Sequence, residues 1–127
     1  MKLREVKQLL SLLESSYIIY LLQPFHNSFN KRVLKTPKLY FYDTGIASFL
    51  LNIRNANDLK NHYSKGALYE NFVINELMKN CYNKRVQPNF HYFRDSNGNE
   101  VDLIIEQAGY TNAIEIKPAK TINESFF

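Results

Sequence analysis

Between residues 4 and 15 the chain reads REVKQLLSLLES, with apolar side chains at Val6, Leu9, Leu10 and Leu13. That spacing is helical and predicts an amphipathic helix, ended by Ser15 and Ser16. The pattern then changes. YIIYLLQPF, residues 17–25, is β-branched and aromatic and predicts a strand stopped near Pro24. HNSFNKRVLKTP is polar, basic and turn-forming. KLYFY, residues 38–42, predicts a second strand, and Asp43-Thr44-Gly45 then opens a short helix, IASFLL, with Asp43 as its N-cap. After a polar stretch, NIRNANDLKNHYSK, comes a longer helix of about 15 residues, GALYENFVINELMKN. Its apolar positions Leu68, Phe72, Val73, Leu77 and Met78 form one broad stripe. Residues 80–89 read as loop. Three strands follow: FHYFR (90–94), EVDLIIE (100–106) and NAIEIK (112–117). Asn97-Gly98 is a hairpin turn between the first two, and QAGYT joins the second to the third.

These elements predict an α/β (α+β) chain in three parts: residues 1–52, a linker over 53–64, and residues 65–127. Helix, strand, basic turn and strand in the first part resemble the second half of a winged helix, with Asn27 to Lys38 as the wing. Both ends read as cut, the first inside a charged helical pattern and the last at an uncovered Phe-Phe pair. Composition alters this picture little. A 45% hydrophobic share with 14% aromatics is ample for a packed core. The formal net charge of +4 suits a nucleic-acid partner and equally a solubilising surface. Cys81 is the sole cysteine, which excludes an intramolecular disulfide and a cysteine-based zinc site. His26, His62 and His91 lack ligand spacing. No apolar run reaches the roughly 18 to 20 residues a membrane helix needs, and no signal peptide opens the chain, so a cytoplasmic protein is expected.

The chemistry lies in charges set among aliphatics. Strand alternation puts Glu115 and Lys117 on one face of the last strand. On the preceding strand Asp102, Ile104 and Glu106 share a face, opposite Val101, Leu103 and Ile105. Pairing across the short turn would bring Asp102 beside Glu115. Two carboxylates so close repel unless a cation sits between them, and oxygen donors of this kind favour Mg²⁺ or Mn²⁺. Glu70 adds a third acid, since its helical neighbours Val73, Ile74 and Leu77 are apolar and a buried carboxylate needs a partner. By itself an E-x-K in a strand is equally well an exposed ion pair worth about 0–1 kcal/mol. The full order, a helical Glu, a hairpin, V-D and then E-I-K, is far more specific.

That order, Glu70, Asp102, Glu115 and Lys117, resembles the core motif of the PD-(D/E)XK nuclease superfamily. The phrases TPKLYFYDTGIASFLL, KGALYENFVINEL, FRDSNGNEVDLIIE and AIEIKPAKT are also similar to an uncharacterised C-terminal domain carried behind the ATPase module of bacterial and archaeal AAA-type ATPases. The similarity runs from about Leu9 to Thr121. It implies a restriction-endonuclease-like sheet with flanking helices behind a partial winged-helix-like segment. It implies Asp102, Glu115 and the Ile116 carbonyl as ligands of Mg²⁺ or Mn²⁺, Lys117 as the catalytic lysine, and Glu70 as the helical acid of the site. Structural roles are implied for Tyr40, Asp43 and Gly45. N-E-V-D stands where the motif has P-D, so Glu100 competes with Asp102 for the role. The helix that follows E-x-K in the superfamily is missing, and no Walker A pattern occurs, which excludes P-loop ATP binding by these residues.

The function expected is divalent-metal-dependent hydrolysis of DNA phosphodiesters, RNA being the other substrate such chemistry would take. An attached ATPase module would control it and could bring copies together. The alternative is a catalytically silent module that binds nucleic acid or protein and regulates the ATPase. In that case Lys31, Arg32, Lys35 and Lys38 would contact phosphates. A third reading is assembly, with the aromatics of residues 39–42 docking a partner.

Overall fold

A computed structural model of the chain describes residues 1–25 and 35–118. Helix α1 (Leu3–Ser15) leads into a hairpin of β1 (Ile19–Leu22) and β2 (Lys38–Phe41). Helices α2 (Thr44–Leu50), α3 (Ala56–Lys60) and α4 (Lys65–Asn83) follow, then β3 (Phe90–Arg94), β4 (Glu100–Gln107) and β5 (Tyr110–Ile114). The fold is α+β, with small antiparallel sheets and helices against them. Among the described residues no helix is long and apolar enough to cross a membrane.

Local chemistry accounts for most of the boundaries. Tyr17 adopts φ 59°, and its N–H and that of Ile18 return to the Glu14 and Leu13 carbonyls, closing α1. Asp43 caps α2 by accepting the Gly45 N–H at 2.8 Å. A Cβ on Gly45 would lie 2.9 Å from that same Asp43 oxygen, so glycine keeps the cap uncrowded. The stretch 53–64, read as polar linker, contains α3. Asn55 caps it by accepting the Asp58 N–H at 2.9 Å, and its one buried side chain, Leu59, anchors it against Ala47, Ile53 and Leu68. Gly98 takes φ 86° in the turn between β3 and β4.

The two sheets are joined by β1. β1 pairs antiparallel with β2, from Ile19↔Phe41 to Leu22↔Lys38. Past Leu22 the chain turns to β3, where Pro24 and Tyr92 form a parallel bridge. Its bonds run from Phe25 N–H to the Tyr92 carbonyl at 2.6 Å and from Tyr92 N–H to the Gln23 carbonyl at 3.2 Å. β3, β4 and β5 then form an antiparallel meander. One core spans both sheets: Tyr20, Leu22 and Tyr40 pack with Ile74 of α4 and with Tyr92 and Leu103 of the meander.

Two further findings depart from the pattern-based reading. The α4 face that is most buried is not the expected stripe alone but Leu68, Asn71, Ile74 and Asn75. Asn71 accepts the Phe41 N–H and donates to the Phe41 carbonyl, both at 2.9 Å, so its amide pairs with β2 as a neighbouring strand would. Asn75 donates to the Phe41 and Tyr42 carbonyls and accepts from Tyr20 Oη at 2.6 Å. The open edge of β2 is thus satisfied at Phe41 and Tyr42 by two side chains.

The second departure is a bulge. β3 and β4 pair as His91↔Ile104 on one side and Phe93↔Val101 on the other, which leaves Asp102 and Leu103 opposite Tyr92 alone. Strict alternation puts Glu100 on the face of Asp102. The bulge moves it instead to the face of Ile105, because Phe90↔Ile105 and Arg94↔Glu100 lie on one side of β3. Glu100 consequently turns toward the α4 side of the sheet.

Replacing Asn75 by Ala leaves Tyr20 Oη and the Tyr42 carbonyl without their buried partner. We expect a loss of about 2–4 kcal/mol in urea unfolding, since orphaned buried polar groups cost about 1–3 kcal/mol each. A loss below about 0.5 kcal/mol would show these bonds to be incidental.

Candidate active site

Glu70 sits one turn into α4, on the side that meets the end of β2. Its carboxylate is only 16% exposed, and its ion-pair partner is Lys38 Nζ at 3.7 Å. That ammonium also reaches Glu100 Oε1 at 3.2 Å and lies 5.0 Å from the centre of the Tyr92 ring. Arg94 Nη2 holds the same Glu100 oxygen at 2.8 Å. Lys38, Glu70, Glu100 and Arg94 therefore form one chain of alternating charge across β2, α4, β4 and β3. The bulge makes this possible, by turning Glu100 to the side where Lys38 is.

The charges act on one another. Burial raises the Glu70 pKa above its usual 4.5, and Lys38 and Tyr40 oppose that rise, while Asp102 and Glu100 add to it. The Tyr40 phenol, 4% exposed, is pushed upward first by burial and then by the Glu70 carboxylate. Its hydroxyl is beside Glu70 but makes no hydrogen bond of ordinary geometry. Glu100 moves the other way: the hydrogen bond from Arg94, aided by Lys38, lowers it below 4.5.

Asp102 lies at the bulge, within electrostatic reach of Glu70 and Tyr40. The β4–β5 ladder runs to Leu103↔Ile114, so Glu115 is the residue next in register with Asp102. There β5 leaves the ladder, and Asp102 Oδ2 accepts the Ile116 N–H at 2.8 Å in place of a backbone bond. Ile116 packs against the main core. Glu115 and Lys117 turn outward, 74% and 78% exposed, and pair with each other at 3.9 Å. The structure thus brings Glu70 and Asp102 into one electrostatic environment and leaves Glu115 and Lys117 at its open rim.

The wing residues divide. Lys31 and Arg32 lie outside the described residues. Lys35 is exposed, and Lys38 is the ammonium of the charge chain. Arg94, Tyr40 and Lys38 itself were not read as parts of the acidic site. Lys38 alone carried a signal, as a cation opening an otherwise apolar strand.

The groups that the motif assigns to a divalent cation, Asp102, Glu115 and the Ile116 carbonyl, are all oxygen donors. Among the described residues no three His, Cys, Asp or Glu side chains group to hold a metal. Mg²⁺ is commonly held by one or two carboxylates, with water and substrate phosphate completing the shell, and Asp102 and Glu115 are the carboxylates next in register here. A cavity of about 440 Å³ opens beside the charge chain, with Lys38, Glu70 and Arg94 at one end and Leu39, Leu51 and Leu68 along its wall.

Residues 65–127 match the sequence profile of a family described as "Domain of unknown function (DUF4143)", and residues 1–57 that of "Domain of unknown function (DUF8612)". The first is a domain found at the C-termini of AAA-ATPase-like proteins. The chain is 30% identical over 116 residues to an uncharacterized protein of Mycobacterium tuberculosis and to one of Mycobacterium bovis. Each alignment covers 91% of this chain and 25% of the relative, so the chain spans about a quarter of their length. No solved structure matches significantly.

The Glu70 shift has a sign that can be measured. In the unfolded chain Glu70 titrates near 4.5, and in the fold it holds its proton to higher pH. The stability this gives is complete below the unfolded value and is lost as pH rises through the folded one. Glu70→Gln removes that loss. Urea midpoints taken from about pH 4 to pH 8 should show the variant gaining on the wild type as pH rises. A constant difference across that range would mean that Glu70 titrates normally.

Proposed function

We propose that this chain is the nuclease-like C-terminal module of a AAA-type ATPase, and that it hydrolyses DNA phosphodiesters with Mg²⁺ or Mn²⁺. The observation that carries this reading is the placement of α4, β4 and the end of β5. A helix bearing Glu70 is followed by an antiparallel meander with Asp102 on its middle strand and Glu115-Ile116-Lys117 leaving its third. This is the order in which the PD-(D/E)XK superfamily sets its helical acid, its strand acid and its E-x-K. The similarity of residues 65–127 to a domain found behind AAA-type ATPase modules supports the setting.

On this reading each residue has a task. Asp102, whose Oδ2 accepts the Ile116 N–H, would hold the cation together with Glu115 and the Ile116 carbonyl. The bound cation supplies Lewis-acid stabilisation of charge on the phosphate. Lys117 brings an ammonium to the open rim, where a phosphodiester can approach, and its charge offsets what develops on the attacked phosphate. Glu70 acts from behind, through its field on Asp102. RNA presents the same phosphodiester and is the other substrate this edge could accept. A cytoplasmic setting goes with the reading, since Cys81 has no disulfide partner in the chain.

One observation favours a second reading, a catalytically silent regulatory module. Lys38 already supplies a cation to Glu70 and Glu100, so the acidic edge is partly neutralised by the protein itself. Such a module would retain nucleic acid by phosphate contacts alone.

Incubation of the full chain with supercoiled plasmid and Mn²⁺ separates the two. The nuclease reading expects nicked circles that vanish with a chelator, and about 10²-fold slower nicking in Lys117→Ala, the order of loss for a removed charge-stabilising group. Nicking undiminished in that variant refutes the role of Lys117. DNA that is retained without metal, released steeply by salt and never cut marks the silent module.

A further inference from the structure

The row of amides that holds β2 stops one turn short. Asn75 and Asn71 lie four residues apart on α4 and take backbone groups at the end of β2. Ala67 has the next place in that row, and its methyl can make no hydrogen bond. On β2 the matching rung is Leu39. Successive residues of an antiparallel strand turn their N–H and C=O to alternate edges. The Phe41 groups point outward to Asn71, so those of Leu39, two residues earlier in an unbroken register with β1, point outward too. Among the described residues nothing bonds to them. The cavity of about 440 Å³ opens at this gap, between Leu39 and the start of α4 at Ser64, Ala67 and Leu68. Leu51 and Leu68 give it an aliphatic wall, and its charged end carries Arg94, 41% exposed. Glu100 engages Nη2 of that guanidinium, and Nη1 has no partner among the described residues.

Resting on the nuclease reading above, which makes nucleic acid the ligand, we propose that this cavity receives one unpaired base of a single strand. The Asn71 amide shows what such a rung accepts: an acceptor and a donor side by side, bonded to the N–H and C=O of one residue, both at 2.9 Å. Every nucleobase has an edge of this kind, with an N–H donor beside a ring-nitrogen or carbonyl acceptor. A base edge on Leu39 therefore repeats the Asn71 contact one rung upstream, while its faces meet the aliphatic wall. The cavity is of the size that small-molecule sites have. Backbone groups are the same whatever the base, so the contact detects that a base is present and ranks the four only weakly. The adjoining phosphate lies toward the charged end, where Arg94 Nη1 can donate to it and where the Glu70 carboxylate is already paired with Lys38. A base stacked and paired within a duplex cannot enter, so the strand must be open at this point. The site thus holds an opened strand beside Glu70, the helical acid of the proposed nuclease edge.

The test is binding of a fluorescein-labelled octathymidylate to the full chain, read by polarisation, with a chelator present so that no strand is cut. An octamer of abasic sugar-phosphate units is the control, since it keeps the phosphates and lacks the bases. The wild type should bind the octathymidylate about tenfold more tightly, the net worth of a pair of hydrogen bonds. Ala67→Asn supplies the missing amide to the Leu39 rung and fills the gap. It should bind both octamers alike, at the wild type's affinity for the abasic one. Ala67→Gln repeats the test with a better helix former, should the first variant fold poorly. Equal binding of the two octamers by the wild type overturns the proposal. So does an Ala67→Asn variant that keeps the wild type's preference, or a wild type that does not bind octathymidylate at all. Plasmid nicking judges the nuclease reading separately. Nicking without any preference for bases leaves that reading standing and refutes the base site, whereas a base preference without nicking supports the site and refutes hydrolysis.

Discussion

The edge of β2 is where this fold is decided. A two-stranded hairpin is marginal in water, and its outer strand exposes N–H and C=O groups that another chain could pair with. Asn71 and Asn75 cover its C-terminal end from within, by setting their amides against Phe41 and Tyr42. An amide carries both donors and an acceptor, so it can follow a strand's alternation of groups, which no aliphatic side chain can do. The consequence reaches well beyond the hairpin. With α4 fixed to β2, Ile74 is fully buried between Tyr40 on one side and Tyr92 and Leu103 on the other, and both sheets share a core. Glu70, one residue before Asn71, is then carried to the end of β2, where Lys38 begins the strand.

A local irregularity completes the site. In a regular ladder Glu100 and Asp102 would point to the same side, and the Lys38 ammonium would find no second carboxylate. The extra residue opposite Tyr92 separates them. Glu100 turns toward Arg94 and Lys38, and Asp102 stays behind to take the Ile116 N–H. Two acids two residues apart thereby do different work. One is committed to cations of the protein, and its pKa is lowered by them. The other bonds to the backbone where β5 leaves the ladder, next in register with Glu115.

Element types were legible in the sequence because they rest on short-range physics. Helical spacing in α1 and α4, the aromatic run of β2, the Asp43 cap and the Asn97-Gly98 turn are all set by neighbours within four residues. The need of Glu70 for a partner was legible for the same reason, from the apolar residues one turn away. The identity of that partner was not, because Lys38 precedes it by a long stretch of chain and only the folded β2 brings the two together. α3 was hidden by its polarity: its stability comes from Leu59 and the Asn55 cap, too little to form a periodic signal. Asn71 and Asn75 did carry a trace, since they recur at helical spacing beside Leu68 and Ile74, where solvent-facing residues would not. Strand counting could not reveal the bulge, because alternation assumes that every residue has one partner across the ladder.

Lysine at one position and arginine at another divide the work of this edge. Arg94 binds Glu100 through a rigid, strongly basic fork, and such a contact positions an acid more than it responds to change. Lys38 binds the same oxygen and Glu70 through a single ammonium on a flexible stem. Burial raises the Glu70 pKa and Lys38 opposes that rise, so the cation beside this acid is one carried on a flexible stem. The arrangement found gives each of the two acids a cation of the fold, the firmly held one on Glu100 and the flexible one between Glu100 and Glu70. The asparagines at the other end of β2, bonded to Phe41 and Tyr42, fix the strand that carries Lys38 to these acids.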